Sequence, residues 1–284
     1  MDISNYSLDK EAFENNLGAF YYAKNKNTGK QCVILKLNKT LKNEKFLAQV
    51  SDYVKKDKPS VENVLFIKNM FAEDDEYYAE YESFEGKPIS FIMSQSRKSP
   101  EIKKMIASVA KGLDGMAEAG ISYGGLTAES VIRTADGKYV ILGAEFYNTE
   151  IKLEGNEDLY ASGYTDPKVS DYKYSQKSDV YSLGRFTATM FLAEKFYTGE
   201  YYAIPDIPQL KPIQASIDQA IKTEERFDTC KAFADSLSDF KGTCPFTDHG
   251  SQIATYWYVA IVVILIVLDV CADKFGFLSG LFGG

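Results

Sequence analysis

The chain has 284 residues, 45% hydrophobic and 25% charged, which is globular rather than disordered composition and enough length for a two-lobed domain with a short appendage. A formal net charge of -8 with no cluster of Lys and Arg excludes a nucleic-acid-binding protein, whose affinity rests on gathered cations. Cys32, Cys230, Cys244 and Cys271 stand far apart, which excludes a disulfide framework or zinc site, and the single histidine, His249, cannot build a Ser-His-Asp or Cys-His site.

Residues 1–22 are polar and interrupted by Asn, Asp, Lys and Glu, so no signal peptide is expected and the body of the chain is expected in the cytoplasm with its thiols reduced. Phe20-Tyr21-Tyr22, the turn Asn27-Thr28-Gly29-Lys30 and Gln31-Cys32-Val33-Ile34-Leu35-Lys36-Leu37 form a hairpin pattern. A helix is expected over 43–56 and a strand over 76–82. Ser99 and Pro100 open a further helix, with Ile102, Met105, Ile106, Val109, Leu113 and Met116 at core-facing spacing and Gly120 at its end. A hairpin then turns at Asp136-Gly137.

Residues 250–268 carry no charge, and 259–268 are almost wholly aliphatic, with Tyr256, Trp257 and Tyr258 at the start. A membrane span over 253–272 is expected, because about 20 apolar residues cross a bilayer core and aromatic rings favour the headgroup level. Lys241 and Lys274 give almost no positive-inside signal, so orientation rests on the cytosolic character of the preceding domain.

Tyr123-Gly124-Gly125-Leu126-Thr127-Ala128-Glu129-Ser130 stands where a protein kinase writes His-Arg-Asp-Leu-Lys-Pro-Glu-Asn, between Gly120-Ile121 and the hairpin Val131-Ile132-Arg133 to Lys138-Tyr139-Val140-Ile141-Leu142. Ser178-Asp179-Val180-Tyr181-Ser182-Leu183-Gly184 follows. On these motifs the chain resembles the protein kinase family over about residues 18–237. The resemblance implies an α+β, two-lobed kinase-like fold, with a small β-rich N-lobe and a larger helical C-lobe, over 1–242. A juxtamembrane linker (243–252), one C-terminal transmembrane helix (253–272) and a short apolar tail (273–284) would follow.

The resemblance also marks where phosphoryl-transfer chemistry would sit. Kinases use the loop aspartate to accept the substrate proton and the loop asparagine to hold magnesium. Gly125 and Ser130 occupy those positions, and Gly143-Ala144-Glu145 stands for Asp-Phe-Gly, so no catalytic residue or metal ligand is expected at Gly125, Ser130 or Gly143. Glu145 is acidic but two residues late, and using it would need a rearranged backbone. Of the phosphate-covering glycines only Gly18 is present. Lys36 matches the phosphate-gripping lysine and is read as a vestige of nucleotide binding. Gln49 stands near its usual glutamate partner, Glu44 and Asp52 are possible substitutes, and Ile34 is expected to crowd the adenine space. An ordinary strand lysine paired with a carboxylate is the other reading of Lys36.

Asp179 is expected to accept hydrogen bonds from the backbone of the 123–130 loop. Arg226 matches the arginine that kinases pair with the glutamate of Ala-Pro-Glu. Lys168 has replaced that glutamate, and Asp166 is the expected substitute.

The leading expectation is a membrane-anchored pseudokinase that binds protein partners, with no cofactor, no nucleic acid, and no binding of ATP or magnesium. One alternative is a subunit of a larger membrane assembly, as the pseudokinase-like subunit of bacterial type VII secretion systems is. Another is an enzyme of unusual nucleotide chemistry that uses Lys36 with Glu145 or Glu129.

Overall fold

The computed structural model describes residues 2–56, 58–92, 99–147, 164–169, 173–192, 211–222 and 225–237. The chain divides into the units Met1–Cys244 and Pro245–Gly284, and all described residues belong to the first. The expected linker, membrane segment and tail, from 243 on, lie outside the described residues. Among the described residues no helix is long and apolar enough to cross a membrane.

The N-lobe is an antiparallel sheet in the order β1-β2-β3-β6-β5, made of β1 (Tyr6–Asn15), β2 (Gly18–Asn25), β3 (Gln31–Leu37), β5 (Ile67–Glu73) and β6 (Glu76–Glu82). β1 had no clear strand signal in the sequence. It is an edge strand with register shifts at Glu11, so Ser7, Asp9 and Lys10 stay in water and blunt the edge against further pairing. Helix α1 (Glu44–Lys55) starts where the Asn43 side chain accepts a hydrogen bond from the Phe46 N–H, and buries Phe46, Leu47, Val50 and Val54.

β3 has apolar residues on both faces, and its alternation divides them. Val33, Leu35 and Leu37 join the large core with Phe46, Leu47 and Val50 of α1, whereas Cys32 and Ile34 join a separate cluster with Tyr6, Ala23 and Phe71. Lys36 therefore shares the face of Ile34, away from α1.

The C-lobe opens with β7 (Gly86–Pro88) and helix α2 (Ser99–Glu118), whose Ile102, Met105, Ile106, Val109, Leu113 and Met116 are all buried as their spacing requires. Strands β8 (Val131–Thr134) and β9 (Tyr139–Leu142) form the hairpin turning at Gly137, whose φ of +76° suits glycine. The two-residue strand β4 (Val64–Leu65) pairs in parallel with β9, completing the order β4-β9-β8-β7. Helices α3 (Gln176–Leu192), α4 (Lys211–Ile221) and α5 (Cys230–Ser236) complete the described lobe. Asp114 of α2 accepts from the N–H groups of Cys230 (2.9 Å) and Lys231 (2.7 Å), satisfying donors at the start of α5 from across the lobe. The architecture is a two-lobed, kinase-like α+β fold.

Arg226 lies over the Tyr181 ring and forms a two-pronged ion pair with Asp166, Nη2 to Oδ1 at 3.1 Å and Nη1 to Oδ2. The same carboxylate accepts from the Lys168 N–H at 3.1 Å. Both charges are buried, so each depends on the other for its solvation. Asp166→Ala strands the guanidinium, and we expect a loss of about 3 to 5 kcal/mol in chemical denaturation. A loss within about 0.5 kcal/mol, the scale of a surface substitution, would show that the pair contributes nothing of this kind.

Candidate functional site

The loop 123–130 hangs from α3. The Tyr123 N–H donates to Asp179 Oδ2 at 3.3 Å, and the Tyr123 hydroxyl donates to the Leu142 carbonyl at 2.8 Å, tying the loop to β9 as well. Burial raises the Asp179 carboxyl well above the usual carboxylate range, against the Tyr123 hydrogen bond, which lowers it.

At the position of the kinase base the space is taken. A Cβ built on Gly125 would come 2.0 Å from the Tyr147 ring, and one on Gly124 would come 2.2 Å from the Tyr174 ring. Tyr147 is buried and meets Tyr123 edge to face, with centroids 5.4 Å apart. Neither tyrosine was singled out from the sequence. The available signal was the glycine pair itself, because adjacent small residues in a buried loop permit close approach by other groups.

Ser130 and Gly143 stand where the resemblance places magnesium ligands. The Ser130 hydroxyl donates to the Thr127 carbonyl at 3.0 Å and accepts from the Thr127 N–H at 2.8 Å, closing a local ring instead of facing a cleft. Gly143 has no side-chain donor, and a Cβ there would come 2.9 Å from Leu17 Cδ1. Among the described residues no group of three His, Cys, Asp or Glu could hold a metal.

Glu145 is directed into the core between lobes. It is fully buried, Oε1 accepts from the Ile67 N–H at 2.6 Å, and Oε2 has no hydrogen-bond partner among the described residues. Lys58 Nζ lies 4.0 Å from Oε1, above the Tyr53 and Phe66 rings, and donates to the Val54 carbonyl. Desolvation pushes the Glu145 carboxyl up to about 7 against the Ile67 and Lys58 contacts that lower it, and desolvation lowers Lys58. Tyr81, whose buried hydroxyl is also unpartnered, is raised by burial first and by Glu145 second. The sequence gives no reason to single out Lys58, a loop lysine beyond α1.

Lys36 lies beside a carboxylate, as the second of its two readings has it. Its Nζ lies 3.6 Å from Glu76 of β6, with Lys42 at 2.7 Å from the same carboxylate, whereas Asp52 of α1 pairs with Lys55. Because side chains alternate along β3, the Lys36 face is the one turned away from α1. Ile34 is on that same outer face, so it does not crowd the space between the lobes, which corrects the expectation from the sequence.

What fills the space under the sheet is the β1–β2 turn. The Asn16 N–H donates to Glu129 Oε2 at 2.9 Å, Asn15 Nδ2 donates to the Glu129 carbonyl at 3.2 Å, and Leu17 is buried. Phe13 stacks on Phe20, with centroids 4.4 Å apart, and lies 6.4 Å from Phe84. Glu129 thus holds the turn and is not brought together with Lys36.

No family model matches the sequence, and no curated protein matches it. Among solved structures the chain is similar to the kinase domain of PknI from Mycobacterium tuberculosis, crystallised as a single-residue mutant. The TM-score is 0.65, with 13% identity over 84% of this chain and 96% of that one. At that identity the likeness shows the fold alone.

The raised Glu145 carboxyl carries a pH dependence. Its folded value, about 7, lies above the ordinary 4.5, so between those values the folded chain holds a proton that the unfolded chain has released. The associated stabilisation is complete below the unfolded pKa and is lost as pH rises through the folded one. Denaturation measured from pH 4.5 to 7.5 should show stability falling by roughly 1 to 3 kcal/mol. Glu145→Gln, which keeps an acceptor for Ile67, should flatten that slope, and an unchanged slope in the variant would assign it to other groups.

Proposed function

We propose that the chain is a membrane-anchored pseudokinase that binds protein partners through its fold and transfers no phosphoryl group. The observation that carries this reading is the Tyr147 ring packed against Gly125, because it fills the volume in which a kinase's proton acceptor would stand. Phosphoryl transfer depends on metal neutralisation and positioning for nearly all of its rate. Gly143 and Ser130 offer no free ligand oxygen for that purpose, and Lys36 is paired with Glu76 on the outer face. The same features support the absence of ATP and magnesium binding. The anchor is assigned to residues 253–272 from their uncharged, apolar composition, with the kinase-like domain cytoplasmic.

A thermal-shift titration with ATP, with and without magnesium, should leave the melting temperature unchanged. Two lost charge-assisted contacts, each worth roughly 1.5 to 3 kcal/mol, move binding towards the millimolar range or beyond. Magnesium-dependent stabilisation at micromolar ATP would overturn the binding-only reading. Removing 250–284 should yield a folded chain that stays in the supernatant when membranes are sedimented. A truncated chain that still sediments with membranes would remove the anchor from that segment.

A further inference from the structure

We propose that the β1–β2 turn is an intramolecular latch, in which Asn15, Asn16 and Leu17 grip Glu129 and Gly143 and hold the two lobes closed without any ligand. This rests on the reading above and specifies its regulation: the closed arrangement is constitutive, so partner binding does not follow nucleotide.

The latch spans 113 residues of sequence and joins the sheet to the 123–130 loop. Asn15 has two tasks. Its Oδ1 accepts from the Leu17 N–H at 2.9 Å, which curls the turn, while its Nδ2 donates to the Glu129 carbonyl at 3.2 Å. The curl aims the Asn16 N–H at the Glu129 carboxylate, 2.9 Å away. Leu17 then enters the gap beside Gly143 and is 2% exposed, and its carbonyl accepts from the Asn38 N–H at 2.8 Å, fastening the turn to the end of β3.

Gly18 makes the approach possible. At φ +140° a Cβ would lie 2.1 Å from the Lys36 carbonyl oxygen, so a residue with a side chain would push the turn away from β3 and off the loop. Leu17 and Gly143 are complementary in the same sense, a side chain on one side and its absence on the other. A backbone N–H donating to a carboxylate is a charge-assisted bond, and here it is partly screened from water by the leucine beside it.

The test is hydrogen exchange on the full-length chain in mild detergent, without nucleotide, comparing the parent with Glu129→Gln, Glu129→Ala and Leu17→Gly. Glu129→Gln keeps an acceptor but loses the charge, and should exchange at a rate between those of the parent and Glu129→Ala. Glu129→Ala and Leu17→Gly should speed exchange at least tenfold both across 15–20 and across the facing 140–147, because an open latch wets both sides of the gap. Acceleration confined to the Asn16 amide, with 140–147 unchanged, would overturn the latch and leave Glu129 as a local capping acceptor. If Leu17→Gly does not fold, the Gln and Ala pair still decides between these results. Nucleotide binding by the parent, in the separate titration above, would count against the pseudokinase reading and not against the lobe contact.

Discussion

The 123–130 loop is fastened to α3 by one carboxylate. Asp179 lies in α3, the most thoroughly buried helix of the lobe, and its Oδ2 receives the Tyr123 N–H. Asp179 Oδ1 has no hydrogen-bond partner among the described residues, so its desolvation is only partly offset. The position is worth that cost because the other attachments follow from it. With Tyr123 fixed, its hydroxyl reaches the Leu142 carbonyl, its ring receives the edge of Tyr147, and the Leu142 N–H returns to the Ser130 carbonyl at 3.1 Å. The loop is thereby stitched to the β8–β9 hairpin by contacts within the chain itself.

The connection between the lobes has the same character. Side chains and backbone groups of the chain itself span the space between the lobes. Glu129 accepts from the β1–β2 turn, Glu145 accepts from the first residue of β5, and Phe13 stacks on Phe20 with Phe84 tilted beside it. Glu145 shows most clearly how a side chain's surroundings set its role. An exposed carboxylate there would be a candidate metal ligand, but enclosed by Tyr53, Tyr81 and Lys58 it is a structural acceptor whose carboxyl burial pushes up to about 7.

Much of this was legible in the sequence wherever a period or a charge relation carries the information. The α2 stripe repeats at helical spacing and is buried throughout, and Asp166 facing Arg226 follows from a like charge at Lys168 that needs replacing. The face of β3 was not legible. Cys32 to Leu35 is apolar without alternation, because the two faces of the strand belong to two different clusters, and a pattern buried on both sides cannot say which side meets α1. β1 was missed because an edge strand tolerates charges. The tyrosines over the glycine pair, Lys58 and the grip on Glu129 were missed because each joins a loop residue to something far away in sequence, where no local pattern points to the partner.

The packing of Tyr147 on Gly125 makes the present state hard to reverse by single steps. An aspartate at 125 would collide with a ring already held by Tyr123, and a smaller residue at 147 would leave a hole beside the loop. A side chain at Gly143 would likewise meet Leu17 before it met any ion. A side chain at 125 or 143 therefore requires a paired change in the group that faces it, Tyr147 in one case and Leu17 in the other. Each of these glycines and the side chain that faces it thus form one packing unit, in which a change on either side is felt on the other.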